Sequence, residues 1–462
     1  MSVAVAVHGF AALAASAAGL ATGVVTAFVA APLVCLLALQ TFVLARSPDA
    51  ALPRRSVGLA LALCGFGCAL LLLGRIGSAC AVVGAGLAVA LTATRLSIGL
   101  GVPAAPGLPQ GFDLRLHAGI ATDEALRLLL ESRTLLRAPV VYADIAAEAR
   151  IAADRNAAEG WQARPERAHA IPPPLEKFRC EDRHLLGVGD VELLRFASEF
   201  EPLDPEVRDA YLAVAANRTA QAVLLRHSGA PRPTLIYCHG YGLGQPWLAA
   251  RMAGARRLHA ELGLDVALFT LPLHAARASG VRSGAGVLDG HPLWTNAALD
   301  QAVWDLRRLT GYLRGAGSPC VGVFGSSLGG TVAAVFASVD ERLASVIAMN
   351  APARLDALFW RQLLPGESAA ARAAGLSTHL LAQAWSRHAP LRMRPRVAHE
   401  RRLVIGGLAD RVVEPEQTRE LWEHWGRPAM HSYPGTHTVW LGREALRARI
   451  DAHLRTTLVD LA

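Results

Sequence analysis

Gly325-Ser326-Ser327-Leu328-Gly329 is the segment that most restricts how this 462-residue chain can fold. It fits the pattern G-x-S-x-G, comes after the apolar run Cys320 to Phe324, and leads into Gly330 to Ser338, which reads as a helix. Strand, tight turn and helix are the context this pattern needs: the turn strains the serine into an exposed position, and the glycines let helix and strand approach closely. Ser327 is therefore the candidate nucleophile. The pentapeptide also arises by chance in a Gly- and Ala-rich chain, so its weight depends on the residues further along the chain.

Downstream, the apolar run Arg402 to Gly406 enters Gly407-Leu408-Ala409-Asp410-Arg411-Val412-Val413, which puts an acid in the turn at a strand's end. Met430 to Tyr433 then reads as a strand, and the loop after it reaches His437, 27 residues after Asp410. A serine hydroxyl is a poor nucleophile near neutral pH. It needs a base within hydrogen-bond reach, and the base needs a carboxylate to fix its tautomer. His437 and Asp410 fit those roles, in the chain order Ser, Asp, His. Two alternatives stand beside this reading. Asp410 could be a turn residue or the N-cap of a helix over Glu414 to Trp425, and His431, inside the strand, is a rival base.

Upstream, Pro233 to Cys238 is a further apolar strand, ending in His239-Gly240-Tyr241-Gly242-Leu243-Gly244. A glycine-rich turn after a strand can supply backbone N–H groups to a developing oxyanion, each worth roughly 3–4 kcal/mol. With the residue after the nucleophile, the donors would be the amides of Tyr241 and Leu328. The spacing of Gly240, Gly242 and Gly244 lacks the G-x-G-x-x-G pattern of a dinucleotide-binding turn.

On these four elements in order, the chain from about Lys177 to its end resembles the α/β-hydrolase superfamily of serine hydrolases. The resemblance implies an α/β-hydrolase fold, a mostly parallel sheet flanked by helices, over residues 176–462, after a linker and helical segment over 101–175. It also implies the triad Ser327, Asp410 and His437. The superfamily includes esterases, lipases, thioesterases, peptidases and acyltransferases, and some members that have lost activity. Members commonly carry a lid where this chain has an insert over 354–397 with Phe359, Trp360, Leu363, Leu364, Leu380, Leu381 and Trp385. That insert reads equally as helices packing on the core. Leu271 to Arg277 is similar to a proline–histidine–arginine loop of bacterial hydrolases, but Ala275 stands where they have glycine, so His274 and Arg277 read as structural loop residues.

The other end differs. Ser2 to Leu44 contains no Asp, Glu, Lys or Arg, and as one helix it would run about 65 Å, twice a bilayer core of about 30 Å. Val57 to Gly74 and Ile76 to Thr94 are two more apolar stretches. Four transmembrane helices are expected in residues 1–100, near 3–22, 24–44, 57–74 and 76–94. Arg46, Arg54, Arg55 and Arg95 flank them on one face, so a multi-pass location in the inner membrane with a cytoplasmic catalytic domain is expected.

The formal net charge of +8 is spread along the chain rather than clustered, which argues against nucleic acid and for lipid headgroups. Of seven cysteines, Cys180, Cys238 and Cys320 are scattered beyond the apolar end, and no Cys/His cluster has metal-site spacing, so neither metal nor cofactor is expected. The expectation is a membrane-anchored serine hydrolase acting on a small-molecule or lipid-like ester, with membrane lipids as partners. An acyltransferase using the same triad and a catalytically silent binding module are the alternatives.

Overall fold

The apolar runs of the sequence pair into one sheet. A computed structural model describes residues 107–109, 113–131, 139–280, 282–363 and 365–461. Its strands are β1 Phe178–Leu185, β2 Gly189–Ala197, β3 Thr219–Leu225, β4 Thr234–Cys238, β5 Asp265–Phe269, β6 Val321–Ser326, β7 Leu343–Met349, β8 Arg402–Gly407 and β9 Ala429–Tyr433. Their spatial order is β1-β2-β3-β5-β4-β6-β7-β8-β9. Pairing is antiparallel from β1 to β5 and parallel among β5, β4, β6, β7 and β8. This order, with β5 between β3 and β4 and the chain then crossing to β6 on the other side, is that of an α/β-hydrolase sheet with an added hairpin strand.

Burial explains the composition of the strands. Every residue of β4, β5, β6 and β7 is buried, as expected where helices cover both faces of a parallel sheet, and such strands read as unbroken apolar runs. β1, with sequence FRCEDRHL, has no buried residue. From the sequence alone, Arg195 to Glu199 and Thr219 to Arg226 read as the first two strands; the structure adds β1 before them. An edge strand with solvent on both sides carries charge at every second position and so lacks the apolar signal.

The helices are α1 Leu114–Glu131, α2 Pro139–Ala158, α3 Pro205–Leu212, α4 Pro246–Ala253, α5 Ala255–Ala260, α6 Pro292–Gly315, α7 Leu328–Val339, α8 Leu355–Gln362, α9 Pro365–Ala373, α10 Thr378–Ala384, α11 Pro415–His424 and α12 Arg443–Thr457. Proline opens α3, α4, α6 and α11, where its missing N–H costs nothing and its φ is already helical. α7 is buried along its whole length. The insert forms α8, α9 and α10; Leu381 and Trp385 are buried, and Asn156 on α2 donates to the carbonyls of Gln383 and Ala384.

Internal contacts divide the chain into two units. The larger is Arg137–Gly406, Val413–Ser432 and Arg443–Ala462, and holds nearly all of the sheet. The smaller is Gly407–Val412 and Tyr433–Gly442 with the described part of Met1–Leu136. In the smaller unit Leu116 and Ile120 of α1 pack on Ala409, with Leu108 and Leu441 beside them.

The membrane expectation is corrected. Among the described residues no helix is long and apolar enough to cross a membrane. Those of sufficient length are too charged: α1 carries Arg115, Asp123, Glu124, Arg127 and Glu131, α2 carries Asp144, Glu148, Arg150, Asp154 and Arg155, and α6 carries Asp300, Asp305, Arg307, Arg308 and Arg314. The four spans near 3–22, 24–44, 57–74 and 76–94 lie outside the described residues. The α/β fold with a mostly parallel central sheet stands, while the transmembrane bundle, the multi-pass location and the cytoplasm-facing domain are withdrawn.

Candidate active site

β4 and β6 are parallel neighbours, with Cys238 opposite Gly325. The segments after them emerge side by side at the carboxyl ends of strands, where open α/β sheets place their sites. After β6 comes Ser327, a non-glycine residue at φ 54°, ψ −122°. Such a conformation costs on the order of 1–3 kcal/mol and persists only where the surroundings enforce it. Ser327 N donates to Met349 O at 2.8 Å, and Ser327 O accepts from Gly330 N at 2.7 Å and Thr331 N at 3.1 Å. The flanking glycines are sterically required. A Cβ on Gly325 would lie 1.9 Å from Gly329 O, and one on Gly329 would lie 2.1 Å from Cys238 O. Neighbouring Ser326 is buried, and its hydroxyl accepts from Tyr237 at 3.3 Å.

The loop after β4 passes close to this turn: a Cβ on Gly240 would lie 3.3 Å from Ser327 Cβ. Two buried imidazoles brace it. His239 donates from Nδ1 to Gly240 O at 2.8 Å and accepts at Nε2 from Leu271 N at 3.1 Å, which joins the loops after β4 and β5 and sets its tautomer. Burial pushes His239 down to about 4, so it stays neutral. His274 bonds Pro272 O at 2.8 Å, and burial, with His239 nearby, pushes it to about 3. Arg277, also buried, donates to Thr270 O and Asn217 O and pairs with Asp305 at 2.8 Å, so it ties the loop after β5 to α6. Of the two expected oxyanion donors, Leu328 heads α7, where leading N–H groups have no intrahelical acceptor. Tyr241 is anchored through its hydroxyl to Asp289 at 3.1 Å.

The acid and the histidine lie together in the smaller unit. Asp410 comes just after β8, and its Oδ2 meets His437 Nδ1 at 2.7 Å while Oδ1 accepts from Val412 N at 2.9 Å. The helix-cap position before α11 is taken by Glu414, not Asp410. His431 lies within β9. The loop carrying His437 is laced to the strand end: Ala409 N donates to Gly435 O, Leu408 N to Tyr433 O, and the Tyr433 hydroxyl to Thr436 O. Burial works against a charge on His437, but attraction to Asp410, the hydrogen bond between them and the field of Asp123 outweigh it, so its pKa is raised.

Asp123 is a residue whose part the sequence did not disclose. It stands mid-way along α1, fully buried. Its Oδ2 accepts from Arg411 N at 3.0 Å and His437 N at 2.8 Å. Its Oδ1 accepts from Thr438 N at 3.0 Å and Thr438 Oγ1 at 2.7 Å. One carboxylate thus holds the backbone beside both the acid and the histidine. Burial raises its pKa, as does Asp410, while His437 and the bonds from Arg411 and Thr438 oppose the shift. An aspartate within a helical stretch carries no local signal of such a role.

No protein-family model matches the chain. Two proteins of Mycobacterium tuberculosis are similar to it: uncharacterized protein MT2702 of strain CDC 1551 / Oshkosh and uncharacterized protein Rv2627c of strain ATCC 25618 / H37Rv. Each is 33% identical over 349 residues, covering 74% of this chain and 82% of the relative. Among solved structures, acetyl xylan esterase 1 from Thermoanaerobacterium sp. JW/SL YS485 is similar with a TM-score of 0.45 and 15% identity, covering 64% of this chain and 93% of that one. An acetyl xylan esterase from Paenibacillus sp. R4 has a TM-score of 0.45 and 13% identity, covering 63% and 93%.

Proposed function

The chain belongs to the family of the Mycobacterium tuberculosis protein Rv2627c, and we propose that it is a serine hydrolase cleaving an ester through an acyl-enzyme on Ser327. The observation that carries this reading is the strained backbone of Ser327 at the junction of β6 and α7. A fold that keeps a non-glycine residue there, at a cost of order 1–3 kcal/mol, gains a hydroxyl presented at the end of a strand. The Asp410–His437 hydrogen bond of 2.7 Å supports it, because that bond fixes the proton on Nδ1 and leaves Nε2 as the base.

In this mechanism His437 takes the hydroxyl proton as Ser327 Oγ bonds to the carbonyl carbon. The backbone amides of Tyr241 and Leu328 stabilise the oxyanion. On collapse, the C–O bond to the alcohol breaks and His437 returns the proton to the leaving oxygen. Water, deprotonated by His437, then attacks the acyl-enzyme and releases the acid and Ser327. Asp410 stays ionised and stabilises the imidazolium in both halves. An ester with an apolar acyl group is the proposed substrate class, because the insert supplies Phe359, Trp360 and Trp385, with Phe359 ring centroids 5.5 and 6.2 Å from the other two.

A fluorophosphonate probe tests the reading without knowledge of the substrate. The folded chain should be labelled at Ser327, and Ser327→Ala or His437→Ala should abolish labelling, since removing a triad member costs factors of about 10⁴ to 10⁶. Absence of label on the folded wild-type chain would favour a catalytically silent binding module, and labelling at Ser326 would place the nucleophile one residue earlier.

A further inference from the structure

Away from these residues, the larger unit holds a second cluster of chemically capable side chains. His169, Asp300 of α6 and His388 are brought together with every side chain buried. His169 Nε2 bonds Arg387 O at 2.9 Å, which leaves Nδ1 turned to Asp300 Oδ1 at 3.9 Å. His388 Nε2 lies 3.5 Å from the same oxygen. Neither His388 Nε2 nor Asp300 Oδ1 has a hydrogen-bond partner, although His388 is 1% and Asp300 4% exposed. Burial keeps both imidazoles neutral, pushing His169 to about 4 and His388 well below its ordinary value. Two ring nitrogens and a carboxyl group are therefore brought together with no hydrogen bond among them, a costly arrangement in a low-dielectric interior.

We infer that His169, Asp300 and His388 form a buried site for a divalent cation of the zinc type. Tetrahedral ligation at about 2.0–2.1 Å puts ligand atoms about 3.4 Å apart. The observed 3.5 and 3.9 Å are too long for good hydrogen bonds and within about half an ångström of that spacing. Two imidazoles and one carboxylate suit zinc and its neighbours rather than magnesium or calcium. A metal-ligating histidine normally gives its other nitrogen to a carbonyl, and His169 does so with Arg387 O at 2.9 Å. Asp300 Oδ2 forms an ion pair with Arg387 Nη2 at 2.8 Å. Arg387 is shared between Asp300 and Asp204, and Asp204 also binds Arg155, so the guanidinium charge beside the cluster is partly offset. A cavity of about 490 Å³ lined by Leu355, Asp356, Trp385 and Leu391 includes His388 in its wall.

The full-length chain, stripped with a chelator and desalted, is titrated with Zn²⁺ against a chromophoric competitor, and Co²⁺ uptake is tracked by its visible absorption. About one tight equivalent is expected, with a rise in Tm on Zn²⁺ addition. His388→Ala and Asp300→Asn should each weaken uptake by about 100-fold or more, the upper end of what loss of an outer partner costs. His259→Ala, in the half-exposed pair His227 and His259 whose ring centroids are 3.8 Å apart, should leave it unchanged. Tight uptake that survives in both His388→Ala and Asp300→Asn, or disappears in His259→Ala, overturns the inference. If those variants do not fold, the wild type decides alone: no Zn²⁺ uptake, or no rise in Tm, overturns it.

Discussion

Asp123→Asn tests how the acid–base pair is held, because it keeps the side chain's shape and removes its charge. Oδ1 receives Thr438 N and Thr438 Oγ1, and Oδ2 receives Arg411 N and His437 N. An amide has a single acceptor oxygen, so two of the four donors must meet an NH₂ group. The better orientation gives the oxygen to Arg411 and His437, since the Thr438 hydroxyl can rotate and accept instead. One buried N–H, that of Thr438, is then orphaned at about 1–3 kcal/mol, and the remaining bonds lose their charge assistance. Against this, the substitution relieves the burial of a carboxylate beside Asp410, the two effects that raise its pKa. The net cost should be about 1–3 kcal/mol. Asp123→Ala, which orphans three backbone N–H groups, should cost more. The consequence for activity comes from position: a shift of about 1 Å in the loop carrying His437 is enough to lose about 10²-fold. Thermal unfolding and the rate of fluorophosphonate labelling, measured on both variants, give the two readouts. An Asp123→Asn chain that melts and labels like the wild type, or an alanine variant milder than the asparagine one, would refute this account.

Three further outcomes are expected. Because a general base must be neutral and His437 is held above the ordinary histidine value of 6.5, labelling should fall as pH drops through that raised pKa. Asp410→Asn should move this acid limb to lower pH and reduce the plateau by about 10⁴-fold; a pH–rate profile with an unmoved limb would count against the assignment. Gly329→Ala would place a Cβ 2.1 Å from Cys238 O, so its cost should reach or exceed the ~3 kcal/mol typical of severe overpacking, and an unchanged Tm would show that the turn can relax. Arg277→Met should destabilise by about 3–5 kcal/mol by leaving Asp305 buried without its cation. Adding Asp305→Leu should recover part of that loss, and denaturant titration of the double variant against the single one checks it.

Much of this protein was legible in its sequence where the physics is local. The G-x-S-x-G segment encodes a turn because only glycine fits at 325 and 329, and the apolar runs of β4, β6 and β8 encode buried strands whose positions agree with the structure to within a residue or two. The pairing of Asp410 with His437 was accessible for the same reason, since both sit where a strand ends and a loop begins. At the other end the expectation rested on apolar sequence alone and lies outside the described residues. Counting uncharged residues gave four membrane helices, while no described helix is both long and apolar enough to be one. β1 went unread because an exposed edge strand has no apolar face to announce it.

Only the tertiary structure decided which distant residues meet. Asp123 reaches backbone groups 288 and 314 positions away. His169, Asp300 and His388 converge although no spacing rule links them. Local sequence sets backbone conformation through sterics and periodicity, which act over a few residues. A cluster drawn from separate elements depends instead on how those elements pack, and a single chain carries no short-range mark of that order.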